Sequence, residues 1–155
     1  MSFSELSVRR ARAGDLDAIV ELERGSLTAP HWAASVYAGI VERDVASQRS
    51  LFVAEKGGEV VGFAVGAMQP DGVGELESVV VAAAAQRAGI GRALCGAVIG
   101  WCRERGVREM RLEVRAGSGG AIILYEGLGF VEVGRRRGYY SGPEEDAVLM
   151  RHKLQ

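Results

Sequence analysis

The stretch Val79-Val80-Val81-Ala82-Ala83-Ala84-Ala85-Gln86-Arg87-Ala88-Gly89-Ile90-Gly91-Arg92 decides the fold. A β-branched apolar run ends at Val81, and a helical pattern begins at Gly89. Ile90, Leu94, Ala97, Val98 and Trp101 form one stripe, and Gly106 supplies the stop. A strand thus passes through a glycine-spaced turn into a helix. Gly89 and Gly91 let the backbone come close to a ligand. The first N–H groups of a helix have no internal partner and carry the positive end of its dipole. Such a terminus suits an anion of the pyrophosphate kind, and Arg87 and Arg92 add positive charge. Gly-Lys-Ser/Thr is missing, so this is not a Walker loop. The third glycine of a dinucleotide fingerprint is missing as well.

Upstream, Leu6–Arg12 alternates as a half-buried strand, and Gly14-Asp15 opens a helix that runs to Arg24. Ala29-Pro30 breaks the chain, and the spacing of Trp32, Val36 and Ile40 predicts a second helix over His31–Gln48. Leu51–Lys56 and Glu59–Met68 are strands joined by the hairpin signal Gly57-Gly58. Pro70-Asp71-Gly72 is the next turn, and Glu75–Val81 is the fourth strand. Downstream, Met110, Leu112 and Val114 alternate as a strand. Ser118 is placed to cap a short helix that ends at Gly127 or Gly129. Phe130–Arg137 and Asp146–Lys153 are the last strands, joined through Ser141-Gly142-Pro143. The order β-α-α-β-β-β-α-β-α-β-β predicts one α/β domain over residues 1–155, with a mixed sheet of about seven strands and a central β-α-β crossover.

Composition narrows the classes. The 155 residues are 48% hydrophobic and 25% charged, which is globular rather than disordered. Nineteen Lys and Arg against 20 Asp and Glu leave a net charge of −1, which argues against a nucleic-acid or acidic-membrane partner. Two His and two Cys make no metal cluster unless carboxylates supply the rest. Cys95 and Cys102 lie seven residues apart in one helix, about 10 Å along its axis, too far for a disulfide. They read as buried helix residues rather than nucleophiles, and His152 as structural. The expected setting is the reduced cytoplasm, with no leader and no membrane span. Glycine, at 22 residues, has about twice its usual share of ~7%.

The loop resembles the acetyl-CoA site of the GNAT-type N-acetyltransferases, whose pattern is Q/R-x-x-G-x-G/A. The resemblance continues through Leu112-Glu113-Val114-Arg115, Ala121-Ile122-Ile123-Leu124-Tyr125-Glu126-Gly127-Leu128-Gly129-Phe130 and Arg136-Arg137-Gly138-Tyr139-Tyr140. Together with Pro30-His31-Trp32 it is most similar to the bacterial ribosomal-protein-alanine N-acetyltransferases. Ser118 stands where that subfamily has Asn, and Ala82–Ala85 follows the fourth strand in place of Asp-Pro. The resemblance implies the GNAT acyl-CoA N-acyltransferase fold, with the fourth and fifth strands splayed and acetyl-CoA as co-substrate without metal. It implies cofactor contacts from Val79, Val80, Val81, Gln86, Arg87, Ala88, Gly89, Ile90, Gly91, Arg92, Ser118 and Tyr125. Its partner would be a protein or peptide N-terminus, a ribosomal protein being the example. A monomer or weak homodimer is expected.

Transfer to an amine needs a neutral nucleophile. An α-amine, with pKa about 7.7–8.0, costs ~1 kcal/mol to deprotonate at pH 7, and a lysine amine near 10.4 costs nearly ~5. One carboxylate acting through water is enough for an N-terminus. Glu113 projects opposite to Leu112 and Val114 and holds the subfamily's base position; Glu77 on the fourth strand is the other candidate. Tyr125, twelve residues after Glu113, is the candidate acid for the departing thiolate. A backbone N–H at or beside Val81 would polarise the thioester oxygen. His31, Trp32, Tyr139 and Tyr140 are candidates for the acceptor cleft. Other readings stay open: a small-molecule amine or a lysine side chain as acceptor, a non-catalytic acetyl-CoA-binding module, or a general nucleotide-binding domain. An aminoglycoside acceptor would favour a strongly acidic cleft, and only Glu42, Asp44, Glu75 and Glu77 are in prospect.

Overall fold

The computed structural model describes residues 5–26, 29–43, 48–86 and 89–154. The elements are β1 (Leu6–Arg10), α1 (Leu16–Arg24), α2 (Ala34–Arg43), β2 (Arg49–Lys56), β3 (Glu59–Met68), β4 (Gly74–Val81), α3 (Ile90–Glu104), β5 (Glu109–Arg115), α4 (Gly119–Gly127), β6 (Val131–Tyr140) and β7 (Glu145–Lys153). Their order is the one expected from the sequence. The strands form one seven-stranded sheet in the order β1-β2-β3-β4-β5-β7-β6. Neighbours pair antiparallel except β4 and β5, which α3 joins as a parallel crossover.

Alternation along the strands feeds two cores. Phe63 and Val65 of β3 face α1 and α2, where they meet Ile19, Tyr37 and Ile40. Ala64 faces α3 and meets Leu94, Cys95 and Val98. Each buried Leu, Ile or Val contributes roughly 1.5–3 kcal/mol. Gly62, one turn of the pleat away, admits no side chain: a Cβ there would lie 2.8 Å from the Val80 carbonyl oxygen and 3.1 Å from Leu94. The end of α3 is closed by two hydrogen bonds. Gly106 N–H donates to Arg103 and Val107 N–H to Cys102, both at 3.0 Å, which satisfies carbonyls the helix leaves open.

β4 changes face partway. Val65 registers with Ser78 and Gly66 with Leu76, so Glu77 is an extra residue in a bulge. Leu76 packs on the α3 side, whereas Val80 packs on the α1–α2 side. Without the bulge, two residues four apart on a strand would share a face. Beyond this point β4 and β5 part. They register only at Gly74↔Met110 and Glu75↔Arg111, while β3 holds β4 to Val81 and β7 holds β5 over Glu109–Arg115. The result is a wedge-shaped opening in the middle of the sheet.

Three expectations need correction. The second helix begins at Ala34 rather than His31, because His31 has φ 57°, a left-handed conformation that no right-handed helix contains. It is described to Arg43, and residues 44–47 lie outside the described residues. Ser118 stands before α4 but its side chain makes no capping bond. Its backbone, at φ −84° and ψ 63°, is not the extended conformer that turns a hydroxyl onto the first helical amides. Finally, β6 runs on to Tyr140, which places Tyr139 and Tyr140 on the strand itself.

Candidate active site

Two cavities meet at the wedge. The first is a groove of about 480 Å³ between the end of β4, the start of α3 and α4. Val79, Val81, Gln86, Gly89, Ile90, Gly91, Arg92 and Tyr125 line it, with Gly120, Ala121 and Leu124 opposite. Gly89 takes φ 77°, which turns the chain into α3 and is strained for any residue with a Cβ. No side chain caps α3, and the first internal bond runs from Ala93 N–H to Gly89 O. The amides of residues 90–92 are therefore left for a ligand, with the helix dipole behind them. Arg92, exposed at the groove, adds a cation. Arg87 and Ala88 lie outside the described residues.

The strand edge supplies the rest of the groove. Ala82 N–H donates to Val61 O of β3, and the Gln86 amide donates to Val81 O from the other side. Alternation then turns the N–H of Val79 and Val81 toward the wedge, where β5 does not pair with them. Their side chains lie on the α3–α4 side. Val80 turns both its backbone and its side chain away, toward β3 and the α1–α2 core. A phosphate-binding helix end leading to an apolar channel beside an open strand edge fits a pantetheine diphosphate arm.

The second cavity is a cleft of about 130 Å³ between β4 and β5. Glu77, Ser78, Val79, Glu113, Ser118, Tyr125 and Tyr140 line it, and Ala29 and Pro30 close one side. Tyr125, Val79 and Ala121 belong to both cavities. Burial, with Cys95 and Tyr140 nearby, pushes the Tyr125 phenol far above its ordinary pKa. Its ring stands edge-on to Phe130, 6.1 Å between centroids. Burial also pushes Tyr140 up to about 12.

The carboxylates of the cleft differ in their company. Glu77 accepts two bonds from Arg49, at 2.7 and 3.2 Å. Glu113 has Arg136 at 3.8 Å, and its interaction with Tyr139 raises the Tyr139 phenol. Glu75 was no more than a scattered acid in the sequence. Burial raises it, Arg111 opposes the rise, and Glu77 and Glu113 add repulsion, so the three carboxylates converge.

His31 and Trp32 stand outside the cleft. The His31 ring bonds Ser26 O at 3.0 Å, and Trp32 packs on Tyr37 and under the Arg49 guanidinium. Ser118 lies in the cleft rather than in the groove. Ala29, Pro30, Ala121 and Leu124 were not among the expected site residues; small or apolar, they carry no chemical signal of their own, and the fold brings them to the site. A further cavity, of about 1160 Å³, shares Val79, Val81 and Gln86 with the groove. It lies between α1 and the ends of β3 and β4, and reaches neither Glu113 nor Tyr125. Cys95 and Cys102 are buried thiols, pushed up to about 12 and about 11 by that burial. No group of three His, Cys, Asp or Glu among the described residues could hold a metal ion, and no helix there is long and apolar enough to cross a membrane.

A wedge flanked by a phosphate-type loop is the hallmark of one class of acyl-transfer fold. A family model described as the acetyltransferase (GNAT) family matches residues 16–130, and the chain belongs to that family of acetyl-CoA-dependent N-acetyltransferases. An N-alpha-acetyltransferase of Sulfurisphaera tokodaii is 35% identical over 158 residues, 94% of this chain and 92% of its own length. The crystal structure of the ribosomal-protein-S18-alanine N-acetyltransferase from Escherichia coli is 30% identical, with a TM-score of 0.82 over 97% of this chain and 95% of that one. A Salmonella typhimurium protein solved with acetyl-CoA has a TM-score of 0.85 at 23% identity, over 98% of this chain and 95% of that one, a likeness of fold.

Proposed function

We propose that the protein acetylates the N-terminal α-amine of a polypeptide, of the ribosomal-protein-alanine kind, with Glu113 as base and Tyr125 as acid. The observation that carries this reading is that Tyr125 borders both the groove and the acceptor cleft. The donor's thioester and the incoming amine can meet only where the two cavities join. The relatives support the acceptor: one is named an N-alpha-acetyltransferase and one for a ribosomal-protein alanine.

The residues divide the work. Glu113 takes the proton of the ammonium through water, leaving a nitrogen lone pair to attack the thioester carbon. The Val81 N–H, turned to the wedge, donates to the carbonyl oxygen as its charge grows. Tyr125 gives its phenolic proton to the sulfur as the carbon–sulfur bond breaks, and the surplus proton on the attacking nitrogen leaves through water and restores the phenol. The raised pKa of Tyr125 keeps the phenolic proton in place at neutral pH. Glu113 is favoured over Glu77 because Glu77 is committed to two bonds from Arg49.

The test is acetyl-CoA-dependent thiol release on a panel of amines. It contains peptides with free N-terminal Ala or Ser, an N-blocked lysine peptide, spermidine and an aminoglycoside. The free α-amine peptides should turn over, and Glu113→Gln should lower kcat/KM more than Glu77→Gln does. Turnover on spermidine or the aminoglycoside alone would refute the polypeptide acceptor. A larger loss in Glu77→Gln would transfer the base to β4.

A further inference from the structure

We infer that Arg115 and Glu145 are positioning residues whose clasp sets the acceptor wall of the cleft. The inference rests on reading that cleft as the acceptor site. Arg115 ends β5, two residues beyond Glu113 on the same face. Its Nη1 donates to the Pro143 carbonyl at 3.1 Å and to Glu145 at 3.3 Å, and its Nη2 donates to the Ser141 carbonyl at 3.3 Å. The guanidinium carbon also stands 4.5 Å from the centroid of the Tyr140 ring. The second oxygen of Glu145 accepts the Gly117 N–H. One half-buried fork therefore ties together the β6–β7 turn, the Tyr140 ring and the loop entering α4.

The sheet itself does not hold this corner. The β6–β7 ladder lapses between Arg136 and Tyr140, and resumes only at Tyr140↔Glu145. β6 is an edge strand, and residues 141–144 of the turn are exposed. Tyr140 nevertheless walls the cleft beside Glu113 and Tyr125. Its ring is fixed by two contacts, the Arg115 guanidinium of the clasp and the Tyr139 ring, edge-on at 5.1 Å. Lysine could not replace Arg115 here, since a single ammonium cannot reach three acceptors and also stack flat on a ring.

The test compares Arg115→Lys and Glu145→Gln with Arg151→Ala. Arg151 pairs with Glu109 at 3.7 Å on the same sheet, away from the cleft. The acceptor KM should rise about tenfold in Arg115→Lys, the loss of roughly one charge-assisted hydrogen bond. The Kd for acetyl-CoA should stay within about twofold of wild type and the Tm should match that of Arg151→Ala; a change of twofold is only about 0.4 kcal/mol. An unchanged acceptor KM would overturn the inference, and so would a parallel rise in the acetyl-CoA Kd with a fall in Tm. Amide hydrogen exchange provides a reading that needs no acceptor. Residues 116–118 and 138–144 should exchange faster in both clasp variants, and unaltered exchange would also overturn it. The kinetics use whichever amine the wild type acetylates. A wild type inactive on α-amines would thus defeat the proposed acceptor and leave the clasp to be judged separately.

Discussion

At the scale of single residues, Tyr125 carries the sharpest consequence. Its ring packs against Phe130, whereas the proposed reaction uses only its hydroxyl, so ring and hydroxyl can be separated by experiment. Tyr125→Phe keeps the ring, and acetyl-CoA binding, measured by titration, should be unchanged. kcat should fall by roughly 10²–10⁴, the usual worth of a positioned acid. The raised phenol also shapes the pH profile. Since it stays protonated across neutral pH, the rise in kcat/KM with pH should follow the acceptor's own amine and level off near pH ~8 for an α-amine. A limb still climbing beyond pH ~9 would mark a lysine acceptor. The proposed roles of Glu113 and Tyr125 come from the strings that carry the resemblance, and the structure brings both residues to one cleft. Arg115 stood in the same string, but its duty was hidden. Its partners lie 26 to 30 residues away, and no local pattern announces a contact of that range.

At the scale of elements, the central strand, loop and helix were plain from periodicity and glycine spacing. The bulge at Glu77 was not. Glu75–Val81 read as one strand ending in Val79-Val80-Val81, and an extra residue leaves no mark in such a pattern. Only pairing with β3 reveals it. The start of α2 was missed for another reason: helical spacing from Trp32 onward is satisfied whether or not His31 is helical, and the backbone of His31 decides against it. The close approach of β3 to β4 and α3 can be tested at Gly62. Gly62→Ala should destabilise the protein by about 1–3 kcal/mol in urea unfolding, the range for overpacking a filled core. An Ala tolerated without loss would mean that β3 can withdraw from the Val80 carbonyl.

For the whole molecule, stability should decline toward acid in two stages. Burial, with Arg103 nearby, lowers the pKa of His152, so below pH ~6.5 the unfolded chain binds the proton that the fold resists. The hydrogen bond from Arg9 lowers that of Asp15, so its contribution is present above pH ~4 and is lost as pH falls further. Glu75, raised by burial, acts in the opposite direction, since the fold takes up its proton first. Urea midpoints at pH 7 and 5.5 should therefore differ in the wild type, and the difference should shrink in His152→Gln. An equal drop in the variant would assign the first stage to another group.

The parting of β4 and β5 has a meaning beyond catalysis. An unpaired strand is ordinarily a hazard, because its open main chain invites another protein to add itself to the sheet. This molecule turns two such borders inward, where Ala29, Pro30 and α4 fence them and only something thin can enter. Its outer borders, β1 and β6, carry Arg9 and Arg10 on the one and Arg135, Arg136 and Arg137 on the other, charges that discourage stacking. The stickiness that would make strangers aggregate is kept for a slender guest.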